Sequence, residues 1–176
     1  MPLTKIKSLG ITDGTITSAD LAAGVGAGKF ETALLHVRDE KAAAAHGGAS
    51  TSGSFLTRTL NTSVTNEITG ASLASNQITL PSGTYYIFAT VPIYAGDDSK
   101  FKLRNTTDSS DTIIGSTDYI SAYNRGFVIG RFTIAAQKVF EIQYRVATAR
   151  ATFGLGISSN YGLTEVYTDV QIWKVA

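Results

Sequence analysis

From Thr32 onward the chain is patterned with a period of two. Ala33, Leu35 and Val37 alternate with Leu34, His36 and Arg38, and Phe101 and Leu103 alternate with Lys100, Lys102 and Arg104. Val128, Gly130, Phe132 and Ile134 alternate with Ile129, Arg131 and Thr133. Phe140, Ile142, Tyr144 and Val146 alternate with Glu141, Gln143 and Arg145, and Val166, Thr168, Val170 and Ile172 with Glu165, Tyr167, Asp169 and Gln171. Successive side chains of an extended strand point to opposite faces, so each run predicts a strand with one buried and one wet face. Breaks fall at Pro81-Ser-Gly83, Gly96-Asp-Asp98, Asn105 to Asp111, Asn124-Arg-Gly126, Ala135-Ala-Gln137 and Ser158-Ser-Asn160. Many short strands between such turn signals predict an all-β sandwich or barrel. No long stretch carries the 3.6-residue helical period. Ala42–Ala45 favours helix, but it runs into His46-Gly47-Gly48 and a Ser/Thr/Gly run to Ser54, and reads as loop.

Composition agrees with this pattern. Of 176 residues, 43% are hydrophobic, enough for one sizeable core, while only 16% are charged, below the ~25% of an average domain. A net charge of +1 leaves no electrostatic footprint for nucleic acid or for an anionic membrane surface. The absence of cysteine excludes disulfide scaffolds, thiolate zinc sites and cysteine nucleophiles. No apolar run reaches the ~18 residues of a membrane-spanning helix. Met1-Pro2-Leu3-Thr4-Lys5 lacks the apolar stretch of a signal peptide, so synthesis in a cytoplasm is expected.

Residues 1–31 differ from the rest. They hold a single aromatic, Phe30, among Gly, Ala, Thr and Ser. Asp13-Gly14 is a turn dipeptide between two short extended pieces, Ser18 can cap a helical turn, and Gly24 to Gly28 reads as a flexible linker. Such a segment cannot bury enough surface to offset its ordering entropy and needs something to lie on. The predicted organisation is an extended arm with a Gly-rich linker over 1–31 and a β body over 32–176. Leu3, Ile6, Leu9, Ile11, Ile16 and Leu21 are the arm's candidate attachment residues.

One strand departs from clean alternation. In Tyr85–Tyr94, Tyr85, Ile87, Ala89, Val91 and Ile93 can face a core, which leaves Tyr86, Phe88 and Tyr94 on the other side. A monomer rarely exposes such a patch. It is covered either by another subunit or by the protein's own loops. Pro92 points to an edge position or a bulge late in this strand.

Catalytic signatures are missing. His36 sits in a strand and His46 in a Gly-rich loop, with no metal-binding spacing between them and no Gly-x-Ser-x-Gly elbow. Both read as surface histidines. Gly24-Val-Gly-Ala-Gly-Lys29 is not a phosphate-binding loop: Ala23 and Phe30 stand where that motif needs Gly and Ser/Thr. The acidic clusters Asp39-Glu40, Asp97-Asp98 and Asp108 to Asp111 read as solvated turns rather than calcium loops. No cofactor and no metal are expected.

Four blocks carry a resemblance. They are Phe55-Leu-Thr-Arg-Thr-Leu-Asn-Thr62, the run from Asn66 to Ile87, Gly130 to Glu141, and Glu165 to Lys174. Together they resemble the C1q/TNF-like jelly-roll domains of tailed-phage virion proteins, over roughly residues 32–176. Ile11 to Leu21 is similar to segments that precede such domains in phage fibre and decoration proteins. The resemblance implies a two-sheet antiparallel jelly roll, a homotrimer with an aromatic sheet face toward its threefold axis, and structural or binding work without catalysis. Tyr86, Phe88 and Tyr94 are then expected at the trimer interface. The implied partner is the major capsid protein or another virion component, with no nucleic acid and no membrane, at the outer surface of the virion. Two roles stand open: a capsid decoration (cement) protein, favoured by the short chain, and a small tail-fibre or receptor-binding subunit. An enzyme such as a glycan depolymerase is opposed by the missing motifs.

Overall fold

A computed structural model describes residues 33–175. They form eleven strands and, among the described residues, no helix: β1 (Ala33–Lys41), β2 (Leu56–Thr57), β3 (Thr62–Asn66), β4 (Ser72–Ala74), β5 (Gln77–Leu80), β6 (Gly83–Tyr94), β7 (Asp97–Asn105), β8 (Ser110–Ile120), β9 (Tyr123–Ile134), β10 (Lys138–Val146) and β11 (Glu165–Lys174). Every pairing is antiparallel. One sheet has the order β3-β1-β11-β6-β9 and the other β4-β5-β10-β7-β8, with β2 added beside β10. Chain neighbours such as β6 and β7 lie in different sheets, which is how a jelly roll stacks two layers.

The alternation read from the sequence becomes the core. Leu35, Val37, Ile87, Ala89, Val128, Val170 and Ile172 from the five-stranded sheet meet Ile78, Leu80, Phe101, Leu103, Phe140 and Ile142 from the other, all fully buried. Phe132 bridges the layers, with its ring 5.5 Å from Tyr85 and 5.3 Å from Phe140. Burial raises the Tyr85 phenol above its ordinary pKa, and the phenol donates to Pro81 O at 2.7 Å. At Gly126 the sheets close so tightly that a Cβ would lie 1.9 Å from the Phe101 ring.

Arg58 joins the layers from within. Its backbone N–H donates to Ile142 O beside the six-stranded sheet. The fully buried guanidinium lies 5.6 Å over the Tyr144 ring and crosses to β11, where Nε donates to Thr168 Oγ1 at 2.8 Å. Nη2 donates to Leu155 O at 3.1 Å. Burial lowers its pKa to about 10, opposed by the negative field of Asp39, so it stays charged at neutral pH. Asp39 is itself fully buried; Lys41 Nζ lies 3.1 Å from its Oδ1, outside hydrogen-bonding geometry.

Several expectations are corrected here. Asn124-Arg-Gly126 is no break: it lies inside β9, and the hairpin turns at Ser121-Ala122. Asp39 is not a solvated turn residue, because the register shift after Arg38 turns it inward. Pro92 marks no bulge, since β6 stays in continuous register with β9 from Gly83 to Tyr94, but it does sit at a local edge, where β6 is paired on one side only. The β11 ladder ends at Thr90, and two residues beyond Pro92 the Tyr94 N–H already leaves the sheet for Gly154 O. A residue without an N–H therefore costs no ladder bond at position 92.

Candidate functional site: an aromatic sheet face

Cross-strand register assembles the outward face of the five-stranded sheet. Leu34 on β1 lies opposite Trp173 on β11, which lies opposite Tyr86 on β6. The next row runs His36, Gln171, Phe88, Ile129, and the one after it Arg38, Asp169, Thr90, Phe127. The apolar members make a diagonal band. Tyr86 packs on Trp173 with ring centroids 6.1 Å apart, and Phe88 on Phe127 at 6.3 Å. Tyr86, Phe127 and Ile129 remain 40–44% exposed, while Leu34, Phe88 and Trp173 are half-buried. Around the β9 edge, Tyr123, and on β8 Ile114 and Tyr119, are exposed as well. Isolated apolar residues on a surface need no explanation, but a band crossing four strands and continuing round an edge marks an interaction surface.

A charged cluster sits in the middle of this face. Asp169 accepts from Arg38 Nε at 2.8 Å, and its other oxygen lies 3.0 Å from His36 Nε2. Arg38 Nη1 reaches Glu40 at 3.6 Å. His36 is only 8% exposed, so it is not the surface histidine that its strand position implied; Arg38 and Asp169 flank it. The cluster holds a carboxylate and a histidine, yet His36 has no hydroxyl partner among its hydrogen bonds. The serine contact belongs to the other histidine: Ser158 Oγ lies 3.3 Å from His46 Nδ1, which also accepts from the Ser158 backbone N–H at 3.1 Å. The two histidines are thus each given a different fragment of a nucleophilic triad, and neither constellation is complete. Among the described residues no group of three or more His, Asp or Glu side chains is placed to hold a metal ion.

Of the residues singled out from the sequence, Tyr86 and Phe88 lie together on the open face. Tyr94 lies at the end of the same strand, half-buried, with its ring edge-on to Phe153 at 5.1 Å in the connection between β10 and β11. Leu3, Ile6, Leu9, Ile11, Ile16 and Leu21 lie outside the described residues, as does the arm as a whole. Leu34, Phe127, Ile129 and Trp173 were not singled out. The available signal was an apolar side chain on the wet phase of its strand, visible for Ile129 and Leu34.

At the foot of the face the chain between Ser158 and Leu163 closes on β11. The Glu165 carboxylate accepts from the backbone N–H groups of Ser159 and Asn160 at 3.0 and 2.9 Å, and these bonds hold it below its ordinary pKa. Tyr167 donates its phenol to Ala45 O at 2.7 Å, and burial pushes its pKa up to about 12.

Solved structures share this architecture. The crystal structure of murine APRIL at pH 5.0 superposes with a TM-score of 0.54 at 12% identity, covering 82% of this chain and 99% of that one. Murine APRIL at pH 8.5 gives 0.52 at 13% identity over the same shares. The globular domain of the zebrafish complement 1qA protein gives 0.50 at 13% identity, covering 83% of this chain and 98% of that domain. The fold is therefore a C1q/TNF-like jelly roll. No protein-family model matches the sequence, and no curated protein matches it.

Proposed function

We propose that this chain is a non-catalytic structural protein of a tailed-phage virion: a homotrimeric capsid decoration (cement) protein whose N-terminal arm attaches to the major capsid protein and stabilises the shell. The observation that carries the reading is the open aromatic band over Tyr86, Phe88, Phe127, Ile129 and Trp173. A second copy of the same chain is the occupant it fits. The face and the β8–β9 edge are different apolar surfaces of one protomer, so covering one with the other makes a head-to-tail contact, which gives a ring where the rotation closes and an open filament where it does not. The resemblance to phage jelly-roll domains supports a ring of three. In this reading the chain is made in the host cytoplasm and works on the outer surface of the virion.

A small receptor-binding subunit is the second reading. Tyr161 and Leu163, 84% and 72% exposed on the connection between β10 and β11, favour it, because apolar side chains held out on a loop suit contact with a host surface.

Replacing Tyr86 and Phe88 together by Asp in the full chain tests the assembly. Light scattering coupled to size exclusion is expected to report monomers or aggregates, and an intact trimer would sink the assignment of this face. Copy number per virion separates the two roles: parity with the major capsid protein means decoration, and a few trimers means an appendage.

A further inference from the structure

Across β7 and β10 the outer face of the six-stranded sheet is polar and most of its charges are matched, whereas its β8 edge exposes Ile114 opposite Lys102 and Tyr119 opposite Asp98. Along the β7–β10 pair, Arg104 lies opposite Glu141 and Lys102 opposite Gln143. Lys102 Nζ and Arg104 Nη1 both reach Asp111 at 2.9 Å. Glu141 accepts from Thr57, Gln77 and Gln143, which outweighs its desolvation and leaves its pKa lowered.

The next pair breaks the rule. Lys100 lies directly opposite Arg145, two cations at facing positions, where like charges destabilise a strand pair. Neither makes an ion pair with a described residue. Lys100 Nζ donates to Gly115 O at 3.0 Å and to Thr117 Oγ1, which leaves one of its three donors unused. Arg145 is exposed and makes no side-chain hydrogen bond among the described residues, so its planar fork of donors is open. Both border an open groove of about 470 Å³, together with Ser52, Gly53, Thr117 and Asp98. Asp98 is exposed on the same strand face as Lys100, two residues away.

We propose that this groove binds a small hydroxylated carboxylate with the size and chemistry of a uronic-acid sugar. Arg145 takes the carboxylate through two parallel N–H bonds, and Lys100 adds the point charge. Asp98 accepts from ring hydroxyls, and Ser52 and Thr117 offer further hydroxyl partners. Asp98 also sets selectivity: it repels a compact dianion such as phosphate more than a monoanion, yet it needs donors that only a hydroxylated ligand brings. The site lies on the sheet opposite the aromatic band, but it reaches Thr117 on β8, between Ile114 and Tyr119 of the edge assigned to the trimer contact, so assembly state is measured alongside the titration.

The test uses the full chain, titrated with glucuronate, glucose and inorganic phosphate at constant ionic strength and followed by backbone amide NMR shifts. Glucuronate is expected to move the amides of residues 98–100, 117 and 145–147, with glucose and phosphate each at least tenfold weaker. Arg145→Gln, which removes the guanidinium charge and its paired donors, should weaken glucuronate at least roughly tenfold, while the melting temperature holds or rises slightly as the repulsion with Lys100 is relieved. Asp98→Asn should weaken glucuronate while strengthening phosphate. Absence of glucuronate shifts, equal affinity for phosphate, or an Arg145→Gln variant that binds as before would each overturn the proposal. An unchanged trimer beside a failed titration removes this site alone.

Discussion

The two sheets present opposite solutions on their outer faces. The five-stranded sheet carries Tyr86, Phe88, Phe127, Ile129 and Trp173 outward around a buried-leaning Arg38–Asp169–His36 cluster. The six-stranded sheet carries Lys100, Lys102, Arg104, Glu141, Gln143 and Arg145 outward, most of them paired within the sheet. Both faces are equally strand-like in backbone, and both are backed by the same core. The difference lies only in what sits on the wet phase of the alternation. An apolar wet phase leaves free energy to be gained by association, whereas a charge-matched wet phase is already satisfied by its neighbours and by water. The first face suits a protein partner and the second, where its matching fails at Lys100 and Arg145, suits a small charged ligand.

The strongest way to break this arrangement is to attack what ties the faces together. Arg58→Ala removes the hydrogen bonds to Thr168 and Leu155, empties a large buried volume, and takes away one of two cations near buried Asp39, the other being Lys41. A loss of roughly 3–5 kcal/mol is expected, in the range for truncating a large buried side chain, measured by denaturant unfolding. Both faces should melt together; a variant within 1 kcal/mol of the parent, on the order of an ordinary surface change, would mean that Arg58 is not the tie.

Gly126→Ala is a milder wedge between the same layers. Its Cβ would run into the Phe101 ring, so one sheet or the other must shift. About 1–3 kcal/mol of destabilisation is expected from overpacking. Because β9 carries Phe127 and Ile129, and Phe101 adjoins Lys100 on β7, association and glucuronate binding should both weaken alongside stability.

The smallest effect is a local one driven by pH. The Glu165 carboxylate is held below its ordinary pKa by the Ser159 and Asn160 amides. A depressed folded pKa contributes stability that is fully present above the ordinary carboxylate value and is lost as pH falls through the lowered one. Protection factors for hydrogen exchange at Ser159 and Asn160, taken against the intrinsic rate at each pH, should therefore hold at neutral pH and fall only in acid. Glu165→Gln should bring the lower protection to neutral pH. Exchange that ignores both changes would detach this loop from β11.

Much of the fold was legible because strand alternation is written locally. Strands β1, β7, β10 and most of β11 show the predicted inward sets, with Phe140, Ile142, Tyr144 and Val146 buried and Arg145 exposed. The strands that escaped reading are short or irregular. The β4–β5 hairpin turns on Ser75 and Asn76, both at positive φ, a pair that lacks the Gly which normally announces such a turn. Edge strand β8 pairs with β7 through two register shifts, which scramble any period-two reading of Ser110–Ile120. Asn124-Arg-Gly126 has turn composition but sits mid-strand, since Gly126 serves close sheet packing rather than a turn.

The sequence by itself determined that the chain is extended, where most strands alternate, and that Tyr85–Tyr94 has two apolar sides. These are properties of residues within a few positions of one another, and the two-residue period carries them. Only the tertiary structure decided that Tyr86 shares its face with Trp173, that Lys100 meets Arg145, and that Arg58, in a connection with no alternation to read, lies buried between the sheets. Those facts depend on register between strands far apart in the chain. Register is set by the packing of the whole core, and a local pattern does not contain it.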